Sequence, residues 1–269
     1  KSELLNGLQV VSKAVPAKTT MTILECILVD CTQGCIKLTA NDMELGIQTD
    51  IEGEIIERGM IAIDAKFFSE IVRKLPDSDV IIETDESLQT TIVCEKAKFN
   101  ISGKSGEDFS YIPYIERNEE ISISQFTLKE VIRQTIFSIA DNDNNKLMTG
   151  ELFEINENNL KVVSLDGHRI SIRNIELKNN YEHKKVVVPG KTLQEISKIL
   201  PGNADEDVSM YLSDNHIVFE FGNTTVVHYV SCQDKQRDCK KGKAFHTAVH
   251  FLHGDKGNLI PGEGGYRSN

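Results

Sequence analysis

Lys66 and Arg73 stand seven residues apart, as do Lys191 and Lys198, each pair inside a segment whose apolar residues recur at helical spacing. Residues seven apart return to nearly the same side of a helix, so each segment presents two cations from one face. Lys129 and Arg133, four apart, do the same, and Lys13 follows the first amphipathic stretch. Sparse cations on helix faces suit contacts to a polyanion such as a nucleic-acid backbone. The competing reading is an ordinary solvated face, which Glu70 and Glu195 among the lysines favour. That the arrangement occurs twice gives the polyanion its weight.

Other chemistry is less well supported by spacing. Gly190-Lys191-Thr192 resembles the end of a phosphate-binding loop, but the glycine that should open the loop falls at Lys185. Cys232, Cys239, His246 and His250 are zinc-ligand types, yet six residues separate the cysteines, where two to four are usual. A zinc-binding tail is therefore an alternative, and no metal or cofactor is expected. Cys26, Cys31, Cys35 and Cys94 fall in or beside strand-like segments with no histidine placed near them, which suits buried thiols better than nucleophiles. No general acid/base pair stands out. An enzyme of unknown type is the runner-up class, separable by a turnover assay on nucleotides.

The 269 residues are enough for two domains. No apolar run approaches the roughly 18–20 residues of a membrane span, and the polar start Lys1-Ser2-Glu3 does not read as a signal peptide. The absent initiator methionine points to a fragment. Six cysteines without a CxxC pair suit a reducing compartment, so a cytoplasmic location is expected. The formal charge of −11 argues against a uniformly basic nucleic-acid binder. The first 227 residues carry 23 Lys/Arg against 37 Asp/Glu, so any DNA contact there needs a local basic face.

What positions the cations is a repeat of about 125 residues. Ile36 to Asp42 and Leu160 to Asp166 alternate as strands and end in an aspartate turn, and alternation resumes at Leu45 and Ile47 and at Ile170 and Ile172. Met60 to Ile63 and Val186 to Val188 then lead into helices over 66–75 and 191–200, each closed by Leu-Pro. Strands follow at 80–82, 91–93 and 98–101, and at 208–212 and 217–221. Helices over 4–11 and 128–139 open the copies. The fold class is α+β, with two similar domains, each having two helices packed on mostly antiparallel sheets.

Particular strings resemble the bacterial DNA polymerase III β subunit, the sliding clamp. They are Thr22-Ile23-Leu24, Leu38 to Leu45 (LTANDMEL), Lys66-Phe67-Phe68 with Leu75-Pro76, and Asp166-Gly167-His168-Arg169-Ile170. The last is the most specific, and the resemblance covers about residues 3–227. It implies a non-catalytic processivity factor: six repeated clamp domains from two subunits encircle duplex DNA, basic helices inward and acidic sheets outward. It implies that Lys18 and the segment Asn142 to Lys146 lie near the DNA with Lys13, Lys66, Arg73, Lys129, Arg133, Lys191 and Lys198. It also implies that the replicative polymerase and clamp loader insert short peptides into an apolar pocket edged by Gly167, His168, Arg169 and Ile170, with Leu165 making that edge more apolar. His168 is then a pocket-wall or structural residue.

Two departures accompany the resemblance. Domain one, 1–119, lacks most of the family's first strand, leaving a sheet edge unpaired. Domain two, 120–227, lacks its C-terminal part, and 228–269 reads as an unrelated, disordered or frameshifted tail. Without a third domain, the full-length family's head-to-tail homodimer is not expected of this chain.

Overall fold

The computed structural model describes residues 1–110, 112, 115–141, 146–213 and 216–229. Helix α1 (Ser2–Val11) buries Leu4, Leu8 and Val11. Strands β1 (Cys26–Asp30), β2 (Ile36–Asn41), β3 (Leu45–Ile51) and β4 (Met60–Asp64) follow, paired antiparallel in the order β4-β1-β2-β3. Helix α2 (Ala65–Lys74) starts where the Asp64 carboxylate accepts the Phe67 N–H at 2.9 Å, satisfying one of the unpaired donors of the first turn. Strands β5 (Ile81–Thr84), β6 (Gln89–Cys94) and β7 (Ala97–Ser102) make a separate sheet, and β8 (Lys104–Ser105) returns to β4.

The second copy opens with β9 (Ile121–Ser124) and α3 (Gln125–Thr135), where Ser124 Oγ accepts the Thr127 N–H at 3.2 Å. The helical pattern expected to reach Ile139 tightens into a 3-10 turn at Ile136–Ser138. Strands β10 (Gly150–Leu165) and β11 (Ile170–Pro189), helix α4 (Gly190–Ile199), and strands β12 (Asp207–Leu212), β13 (His216–Phe221) and β14 (Thr224–Tyr229) complete the described chain.

Register explains why four strands of the first copy become two in the second. Gly150–Ile155 pairs with Lys184–Pro189, as β1 pairs with β4; Asn159–Leu165 pairs with Ile170–Glu176, as β2 pairs with β3. Register shifts between Ile155 and Asn159 mark the junction inside β10. The copies also differ at a sheet edge: β12 pairs with both β13 and β9, whereas β5 pairs with β6 alone among the described residues.

The copies are joined edge to edge. One nine-stranded sheet runs β8-β4-β1-β2-β3-β14-β13-β12-β9, with β14 of the second copy antiparallel to β3 of the first. The four α-helices among the described residues all bury apolar side chains in one cluster, among them Leu8, Phe68, Leu128 and Leu193, together with Ile47, Val226 and Phe219 from the sheet. Alternation sends Val218 and Val227 to the opposite face, where they pack with Ile115.

Candidate nucleic-acid interface and partner-docking turn

The cations expected to face DNA divide into two sets. Arg133 is forked onto Glu130, Nε at 2.9 Å and Nη2 at 2.7 Å, and Lys198 meets Glu195 at 2.8 Å, each one helical turn away. Lys191 reaches across the copies to Asp42 at 2.9 Å, and Lys129 donates to the Leu200 carbonyl at 2.8 Å. Lys13, Lys18, Lys66 and Arg73 are exposed and make no ion pair among the described residues. Exposed ion pairs contribute only about 0–1 kcal/mol, so Arg133, Lys191 and Lys198 can exchange partners, but their field is partly cancelled by the paired carboxylates. Asn142 and the side chain of Lys146 lie outside the described residues, as do Cys232, Cys239, His246 and His250.

The aspartate turns of the two copies are bonded alike. In the first, Asp42 Oδ1 accepts the N–H groups of Glu44 at 3.0 Å and Leu45 at 2.7 Å, and the Asp42 N–H donates to the Leu45 carbonyl. In the second, Asp166 Oδ1 accepts from His168 at 2.9 Å and Arg169 at 2.8 Å, and the Asp166 N–H donates to the Arg169 carbonyl. Met43 and Gly167 take the same left-handed position, φ 74° and 86°. Backbone N–H groups of His168 and Arg169, then the Arg169 guanidinium, hold the Asp166 carboxyl down at about 2. Burial raises Asp42, but the Lys191 ammonium and the N–H groups of Leu45 and Glu44 outweigh it and leave it lowered.

Gly167, His168, Arg169 and Ile170 are all exposed on this turn. Ile170 keeps 38% of its surface open, whereas Leu165 keeps only 6%. The apolar contribution of the turn is therefore Ile170, and Leu165 is covered. Among the described residues no cluster of three or more metal-ligating side chains exists, and no helix is long and apolar enough to cross a membrane.

The profile of the DNA polymerase III beta subunit N-terminal domain matches residues 1–113, and that of its central domain matches residues 122–230. The beta sliding clamp of Staphylococcus aureus is 32% identical over 268 residues, covering 94% of this chain and 71% of the relative. This chain belongs to the beta sliding clamp family. The family is a non-catalytic processivity subunit of DNA polymerase III. A putative beta subunit from Eubacterium rectale is 75% identical with a TM-score of 0.84, covering 86% of this chain and 63% of that one. The Bacillus subtilis sliding clamp is 31% identical with a TM-score of 0.82 and the same coverage. This clamp chain thus spans less than two thirds of those solved chains. The S. aureus alignment covers more than residues 1–227 supply, so it runs into the segment expected to be unrelated.

Sequence reasoning missed three parts of this arrangement. Lys191 and Asp42 lie 149 positions apart, and no local pattern links them. The pairing of β14 with β3 is equally non-local. Ser110 and Ile112, beyond the last strand expected in the first copy, contact Asn41 and Gly46 on either side of the first turn; an isoleucine at 112 was the available signal.

Proposed function

We propose that the chain supplies DNA-facing and partner-docking parts of a sliding clamp that encircles duplex DNA and tethers the replicative polymerase in the cytoplasm. The observation that carries this reading is the edge-to-edge seam of β3 and β14, with all four helices in one core on one side of the sheet. Repeats joined this way extend one sheet from copy to copy and keep their helices together. Cations on those helices then meet phosphates without reading sequence, while acidic residues elsewhere discourage binding on other faces. The boundary between the two clamp domains falls at about residues 119 and 120 in this reading.

Lys13, Lys18, Lys66 and Arg73 carry most of the attraction, because Lys129, Arg133, Lys191 and Lys198 already have partners. Fluorescence anisotropy with a labelled duplex over a salt series tests this. Each phosphate contact removed lowers the salt slope by about 0.9, so Lys66→Ala with Arg73→Ala should reduce it by up to about 1.8. An unchanged slope overturns the assignment.

On the opposite side of the chemistry, Ile170 and the turn before it take a short apolar peptide of the polymerase or clamp loader. A synthetic peptide bearing adjacent leucine and phenylalanine should bind, and Ile170→Ser should weaken it tenfold or more. Alone, the chain is expected to sediment as a monomer, and a stable dimer overturns that expectation.

A further inference from the structure

The two aspartate turns share their hydrogen bonds but differ in what flanks them. Asn41 pairs with Gly46 across the first, and Leu165 pairs with Ile170 across the second. On the first turn, Gly46 lies directly beneath Ile112: a Cβ there would meet Ile112 Cγ1 and Cδ1 at 2.8 Å, and its three nearest neighbours would all be atoms of that side chain. Asn41 Nδ2 donates to the Ser110 carbonyl at 3.3 Å. Val227, the partner of Gly46 across the seam, packs with Ile115 and Val218 on the same face, edged by Ile112, Tyr211 and Tyr229. An aliphatic side chain of the chain itself thus covers the position that corresponds to Ile170.

We infer that the first repeat carries a second peptide-docking site of the same apolar class, occupied by Ile112. The inference rests on the proposed peptide role of the Asp166 turn, whose bonding the first turn reproduces. Its ligand is a short peptide presenting aliphatic or aromatic side chains, and Gly46 and Asn41 are the residues that favour the internal occupant. Gly46 leaves room for the Ile112 side chain, and Asn41 holds the backbone that delivers it. At the second turn Ile170 fills that room with its own side chain, and Leu165 offers no amide to hold a carbonyl.

Calorimetric titration of the full chain with the Leu-Phe peptide reads the stoichiometry. One peptide per wild-type chain is expected, and two after Ile112→Ser, while Ile112→Leu stays at one. Gly46→Ile, which copies the second repeat and expels Ile112, provides an independent route to two; circular dichroism establishes that each variant is folded. Folded Ile112→Ser and Gly46→Ile chains that still bind one peptide overturn the inference. If the wild type binds none and these variants bind one, the first site stands and the reading of the second fails. Absence of binding in all of them rejects both.

Discussion

Glu151 lies on the core side of β10 with no exposed surface, and neither carboxylate oxygen has a hydrogen-bond partner among the described residues. Burial pushes its pKa up to about 7, and the nearby Thr135 hydroxyl, which donates to the Val131 carbonyl at 2.7 Å, offsets this only in part. Between an unfolded value near 4.5 and the folded value the native state holds a proton that the unfolded chain has lost. Stability therefore falls as pH rises through that window and levels off above it, by about 3 kcal/mol in all. Glu151→Leu should remove that slope and raise stability at pH 8 by roughly 1–3 kcal/mol, measured by urea unfolding. A variant with the wild-type pH profile would place the slope elsewhere. Asp166 runs the opposite way. Its carboxyl is held at about 2, so its contribution to the turn is present above the ordinary carboxylate range and lost as pH falls through that value.

At the scale of elements, helix α2 shows how capping and charge can be separated. Asp64 starts the helix by accepting the Phe67 N–H, while Lys66 and Arg73 point to solvent. Asp64→Ala should cost about 1 kcal/mol in urea unfolding and leave the salt slope of duplex binding unchanged. A changed slope would mean that the cap also sets the position of the cations. The helices were legible because Phe68, Val72 and Leu75 recur at a helical period and Pro76 ends the pattern. The strands were less so. Four-residue β9 gives too little alternation, and β14 carries two threonines and a histidine among its six residues. The Asp166 turn was readable because its aspartate, glycine, histidine and arginine are consecutive. The partners of Lys191 and Gly46 were not, since folding alone brings Asp42 and Ile112 to them.

The whole described molecule is held together at a seam that belongs to neither repeat. Five residue pairs join β14 to β3, the hydroxyls of Thr49 and Thr224 meet at 2.9 Å, and Lys191 binds Asp42. Val226 at the middle of this seam has no exposed surface and packs in the cluster to which all four helices contribute. A duplicated sequence suggests two independently folding halves, because each copy has its own helices and strands. The shared core argues otherwise: separating the copies would expose Ile47 and Val226 together and leave the β14-facing edge of β3 unpaired. Unfolding of residues 1–229 should therefore be one transition, coincident by far-ultraviolet circular dichroism and by hydrogen exchange of amides in β1 and in β13. Val226→Asp, which places an unpaired carboxylate in the shared core, should destabilise both repeats by about 3–5 kcal/mol. Exchange that accelerates in β13 but not in β1 would show that the repeats fold separately, and that the seam joins two finished domains.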